Sequence, residues 1–335
     1  MNFGTTAVKG RSLVVGALMA FGLATTGFAA DSYPKSDIKA VIPFGAGGGT
    51  DTLARAIVNL AEKELGQAVI VQNKPGATGA VATEFVRQQP ADGYTILIAA
   101  ENQNLYRTTG LSKLSFDDFE PVILLGEAYP VVVTLPGAKW KSISEMLDEV
   151  GKNPKSIKVM NTGPVGISGV VTAMLGKDFT LVPYRGEGPG LAGLLGGHVD
   201  IGIVSIGAVI QHVEIGNLKV LSVISDKRLK AYPDWPALGE ERPEYKKYLP
   251  WGPYYGVYAK KGTPQPVLAK LQDSFKKAWS SDTYQKFLDE RRIVPLGLMG
   301  EAAVAYQKKW ESVTTWLLFE ANAASDPAAF GIPRL

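Results

Sequence analysis

A β-branched apolar run, Ile38-Lys39-Ala40-Val41-Ile42-Pro43-Phe44, breaks at once into Gly45-Ala46-Gly47-Gly48-Gly49 and then into a helical pattern. This junction restricts the chain most, because a buried strand turning through glycines into a helix is the opening unit of an α/β sheet. Thr50 and Asp51 are the expected N-cap residues. Leu53, Ala54, Ile57, Leu60, Ala61 and Leu65 recur at helical spacing, and Gly66 supplies the stop. A strand is expected over 68–72, a turn at Pro75-Gly76, a helix over 80–88 and a strand over 94–99. That order is the rhythm of an open parallel sheet with helices on its faces.

A second set of such units runs over about 140–250. It predicts helices over 144–151, 169–175 and 191–195, with strands over 158–161, 180–183, 200–204 and 219–224. Residues 250–261 are aromatic and β-prone, and helices follow over 263–280, 283–291 and 301–321. With 335 residues there is enough chain for two cores. The economical reading is two α/β lobes, each a parallel-type sheet flanked by helices, with chain crossings near 131–135 and 253–259. Residues 30–134 with 256–335 form one lobe and 135–255 the other, leaving a hinge and a cleft.

Residues 1–29 read as a cleaved secretory signal rather than as part of the fold. Lys9 and Arg11 precede an uncharged apolar run over 12–24, and small residues end at Gly27-Phe28-Ala29. That run is short of the ~20 residues a membrane span needs. Without Lys9 and Arg11 the formal charge falls from +3 to +1, giving no basic field for nucleic acid. The absence of cysteine excludes disulfides, thiolate catalysis and Cys-ligated metals, and two histidines cannot build a three-His metal site. An exported, cysteine-free chain suits the bacterial periplasm.

The loop after the first strand resembles a phosphate cradle but lacks its residues. A P-loop ends in Gly-Lys-Ser/Thr, whereas this one ends in Gly-Gly-Thr-Asp. The dinucleotide fingerprint fails as well, because Thr50 stands where its third glycine belongs. What remains is a glycine turn exposing backbone N–H groups at the positive end of a helix, a site suited to a carboxylate; an unliganded strand–helix turn is the plainer alternative. The loop Asn161-Thr162-Gly163-Pro164-Val165-Gly166-Ile167-Ser168-Gly169 also leads from strand to helix, and a third strand end carries Tyr184-Arg185-Gly186-Glu187. Arg185 either pairs with a ligand carboxylate or binds Glu187 at the surface. Ser205 faces the cleft or caps the next helix. Trp251, Tyr254 and Tyr255 stack on a ligand or pack the hinge. His198 and His212 stand in no nucleophile motif, so no catalytic or metal-ligating residue and no cofactor is expected.

The string Tyr33-Pro34 … Val41-Ile42-Pro43-Phe44-Gly45-Ala46-Gly47-Gly48-Gly49-Thr50-Asp51 … Ala54-Arg55 resembles the opening of the Bug/TctC family, the periplasmic receptors of tripartite tricarboxylate transporters. The likeness continues through Val71-Gln72-Asn73-Lys74-Pro75-Gly76-Ala77, Ala91-Asp92-Gly93-Tyr94-Thr95, Val182-Pro183-Tyr184-Arg185-Gly186 and Leu194-Leu195-Gly196-Gly197-His198-Val199-Asp200. It implies a two-lobed, type II-like periplasmic-binding-protein fold that closes over one small organic carboxylate. The acid is handed to a two-component membrane permease; the rival readings are a receptor presenting ligand to a sensor kinase and, further off, a hydrolase or transferase. A monomer is expected. The implied ligand-binding set is Phe44, Gly45, Ala46, Gly48, Gly49, Thr50 and Asp51, then Thr162, Gly163, Val165, Gly166 and Ser168, and then Tyr184, Arg185 and Ser205. The chain departs from the family after Thr95, where a short apolar segment runs straight into Glu101-Asn102-Gln103-Asn104, and the helix before Val182 is short. Glu101 and Asn102 therefore join the set. A cleft-facing Glu101 would repel a second ligand carboxylate or attract an ammonium; otherwise it is a solvated loop acid.

Overall fold

The computed structural model describes residues 1–4 and 33–335, and residues 33–335 pack as one unit. The expected signal segment falls largely outside the described residues. Strand β1 (Ile38–Ile42) is buried at four of its five positions, and α1 (Gly49–Leu65) follows it. α1 buries Leu53, Ala54, Ile57, Val58, Ala61 and Leu65 along one stripe. It stops where Gly66 turns left-handed (φ 71°) and donates its N–H to Glu62. At the other end the structure corrects the sequence reading: Gly48 is the N-cap and no side chain caps the helix. Thr50 and Asp51 lie inside the first turn, because the glycines let the helix begin two residues earlier.

Next come β2 (Val69–Asn73), α2 (Ala80–Gln88), β3 (Thr95–Ala100), β4 (Phe119–Ala128), β5 (Pro130–Thr134), α3 (Ile143–Lys152), β6 (Lys158–Asn161) and α4 (Ile167–Leu175). The chain continues through β7 (Thr180–Pro183), α5 (Glu187–Leu195), β8 (Gly202–Ser205), α6 (Ile206–Glu214), β9 (Lys219–Val223), the short α7 (Leu238–Glu241) and β10 (Tyr254–Lys260). α8 (Gln265–Trp279), α9 (Asp282–Glu290), β11 (Ile293–Leu298) and α10 (Gly300–Glu320) complete it.

The first sheet has six strands in the order β11-β4-β10-β3-β1-β2. β1 lies parallel between β2 and β3, whereas β10 runs antiparallel to β3 and β4, and β11 antiparallel to β4. In the second sheet β5 pairs antiparallel with β8 and β9. The parallel pair β6–β7 joins its β8 side through a bridge between Val159 and Ile201. Both sheets are thus mixed rather than parallel-type, because β5 and β10 enter against the local strand direction. β4 and β11 were not evident as strands; Pro295 and Gly297 mark β11, which lies at the sheet edge where such residues are tolerated.

One face of the first sheet packs Ile38, Ile42, Ile96 and Val257 against α1, α8 and α9. A second core joins its other face, through Leu97, Leu124 and Tyr258, to α10, α4 and second-sheet residues including Val132, Ile203 and Leu221. Trp251 and Tyr254 pack in this core against Trp310, with ring centroids 6.0 Å and 5.6 Å away. Of the three aromatics that sequence left open, these two are structural.

Candidate functional site

The glycine loop is shaped by one acid. Gly47 turns with φ 82°, a conformation glycine adopts freely, and its N–H donates to Asp51 Oδ2 at 2.9 Å. Asp51 also accepts from Arg55 Nε at 3.0 Å and Asn73 Nδ2 at 2.9 Å, while Asn73 donates to the Phe44 carbonyl as well. Burial pushes the Asp51 carboxyl up, but the bonds from Arg55, Gly47 and Asn73 outweigh it and hold the pKa below the ordinary value. Asp51 therefore folds the loop from behind and does not line the cavity in front, contrary to its expected place in the ligand set.

That cavity, of about 250 Å³, opens between first-sheet and second-sheet loops. From the first sheet it is lined by Phe44, Gly45, Ala46, Gly48, Gly49 and Thr50, and by Glu101 and Asn102 just past β3. Thr162, Gly166 and Arg185 line it from the second. The first-turn N–H groups of α1, which lack partners within the helix, are presented at this wall.

The remaining expected residues sit behind the wall. Gly163 packs on Thr78, where a Cβ would come within 2.4 Å of Thr78 Oγ1. Val165 is buried and accepts from Asn102 Nδ2 at 2.7 Å, a tie between the segment after β3 and the loop before α4. Ser168 Oγ accepts from the Thr162 N–H at 2.9 Å and so braces its loop. Tyr184 packs with the Leu191, Leu194 and Ile206 cluster, its ring against Gly193. Ser205 lines a neighbouring cavity of about 370 Å³ instead. These five leave the wall because each packs on or bonds to other parts of the chain, four of them to a different segment, contacts that spacing along the chain does not reveal.

Glu101 is not a solvated loop acid. It is 1% exposed, and its Oε2 has no hydrogen-bond partner. Burial pushes its pKa up to about 8, against the pull of its own backbone N–H, and the nearby Glu187 charge adds to the rise. Arg185 is exposed at the cavity and makes no ion pair among the described residues. Glu187, weighed in sequence only as its partner, bonds Ser205 instead. Glu187 and Tyr255 line both cavities. Sequence reasoning missed Glu187 as a cleft residue, and its only signal was an acid at the start of a helix that follows a strand end.

The cavity wall combines carboxyl groups, backbone donors and one arginine, Arg185. No group of three His, Asp or Glu side chains among the described residues is placed to hold a metal, and no described helix is long and apolar enough to cross a membrane.

Residues 53–301 match the family described as tripartite tricarboxylate transporter family receptor. Protein BugT of Bordetella pertussis is 31% identical over 279 residues, covering 79% of this chain and 84% of that protein. The structure of the periplasmic binding protein BugD superposes with a TM-score of 0.80 at 29% identity, over 88% of this chain and all of that one. The structure of MatC from Rhodopseudomonas palustris with bound malate gives 0.78 at 26%, over 86% of this chain and all of that one. The mixed sheets flanked by helices are shared with these receptors, and the chain belongs to the tripartite tricarboxylate transporter receptor family.

Proposed function

We propose that this chain is a periplasmic solute receptor that holds one small organic carboxylate between its two sheets and delivers it to a two-component membrane permease. The observation that carries the reading is the convergence on one cavity of the α1 N-terminus, Thr162 and Arg185. A carboxylate there would meet backbone N–H groups and a helix dipole from the first sheet and a guanidinium from the second. The malate bound by MatC supports the ligand class, and the family supports the permease as recipient. Residues 30–134 with 256–335 and residues 135–255 would act as lobes, and a ligand touching both favours the closed arrangement.

Thermal unfolding of the chain from residue 30 against di- and tricarboxylates, hydroxy acids and amino acids tests this. A ligand at a hundred times its Kd adds about 2.7 kcal/mol, and the recovered ligand should be chemically unchanged. Turnover of a bound acid, or a flat panel with no co-purified acid on mass spectrometry of the denatured sample, would overturn the reading.

A further inference from the structure

The glycine cradle already carries an acid at one end. Glu187, the first residue of α5, accepts from the Ser205 N–H through Oε1 at 2.7 Å and from the Ser205 hydroxyl through Oε2 at 3.0 Å. A Cβ built on Gly49, the first residue of α1, would lie 3.5 Å from Glu187 Oε2, 3.3 Å from the Tyr255 hydroxyl and 3.6 Å from Ser205 Oγ. A second-sheet carboxylate thus faces the N-terminus of the first-sheet helix, the position that best stabilises an anion. Burial raises its pKa above the ordinary value, while the Ser205 N–H, the Ser205 hydroxyl and the Gly49 N–H pull the other way by bonding its carboxylate oxygens. The same carboxylate stands in the wall shared by the two cavities. Independently, Glu101, which lines the smaller cavity, keeps a buried Oε2 without a hydrogen-bond partner and lies near enough to feel the Glu187 charge. Arg185 is the cationic side chain lining that cavity.

We propose that Glu187 determines which acids the receptor accepts, by filling the Gly49 end of the cradle with a carboxylate that belongs to the chain. The ligand then brings a single anionic group, seated toward Gly45, Gly48 and Arg185. It turns a hydrogen-bond donor, such as a hydroxyl, amide N–H or ammonium, toward Glu187. A second ligand carboxylate at that end would find its donors taken and the Glu187 carboxyl beside it, an apposition that lowers affinity. The inference rests on the receptor reading above.

Calorimetric titration of the chain from residue 30 tests it with matched pairs: succinate, glutarate and adipate against succinamate, glutaramate and adipamate. The parent should bind at least one monoamide about tenfold more tightly than the corresponding diacid. Glu187→Ala should reverse that order. Glu187→Gln, which keeps the shape and an acceptor for the Ser205 N–H, should move in the same direction and decides the matter if the alanine variant does not fold. A parent that holds a diacid at least as tightly as its monoamide, or an order unchanged in the folded variants, overturns the role of Glu187 and leaves the receptor reading standing. Failure of all six acids to bind parent and variants overturns the receptor reading and this inference with it.

Discussion

Gly48 shows how little side chain the cradle tolerates and how much the fold would. Its φ of −76° is open to any residue, and a Cβ there would meet only the Gly45 carbonyl at 3.6 Å. Gly48→Val should therefore fold, losing about 1 kcal/mol as a poorer N-cap, while its branched side chain blocks the N–H groups and abolishes carboxylate binding. Denaturant titration and calorimetry read the two effects separately, and normal affinity would sink the cradle. Asp51→Ala should do the reverse, costing about 2–3 kcal/mol because Gly47 and Asn73 lose a buried acceptor, with weaker binding following from a loosened loop. Thermal melts of that variant should show the loss even without ligand. The wall glycines were legible in the sequence as a strand-to-helix turn with exposed N–H groups, which an unliganded turn would show equally. Asp51 was legible as important but not in its role, since its contact with Asn73 spans 22 positions. The approach of Glu187 to Gly49 lay further out of reach, being a meeting of loops from different sheets.

The elements that sequence predicts well are those with a continuous apolar stripe. α1 and α8 are read from periodicity alone, and they pack on each other across one face of the first sheet. Phe275 on α8 is wholly buried in that core, away from the cavity. Phe275→Ala should cost about 3–5 kcal/mol of stability with ligand affinity unchanged in the folded fraction. A measured drop in affinity at saturating stability conditions would mean that this layer sets the site. β4 and β11 escaped notice for opposite reasons. β4 carries apolar residues almost without alternation, since both of its faces are covered. β11 is irregular, with Pro295 and Gly297 inside it and a register shift between Pro295 and Leu298. Strand direction also lay beyond the sequence: apolar runs do not state whether a neighbour is parallel, so the mixed pairing came only from the structure.

For the molecule as a whole, the buried acids make stability depend on pH in a direction unusual for carboxylates. Glu101 rises from 4.5 to about 8, and its titratable neighbours, Glu187 and the phenols of Tyr106, Tyr254, Tyr255 and Tyr258, include no cation. The folded chain thus holds a proton that the unfolded chain releases, so this contribution is complete below pH 4.5, weakens as pH rises and is lost above about 8. Glu311, raised by burial to about 7 against the pull of Arg107, acts with the same sign. The free energy of unfolding should fall by about a few kcal/mol between pH 5 and 8.5, and Glu101→Gln should remove much of that slope; an unchanged slope would mean Glu101 titrates as an ordinary acid.

The two sheets, the loops between them and the cavity they enclose come together in a single claim, that a carboxylate is held by the backbone of the β1–α1 turn. Calorimetric titration of the parent and Gly48→Val, side by side with the acid that most raises the parent's melting temperature, tests it most directly. Saturable one-site binding to the parent and none to the folded variant is the expected result. Equal binding to both would contradict it.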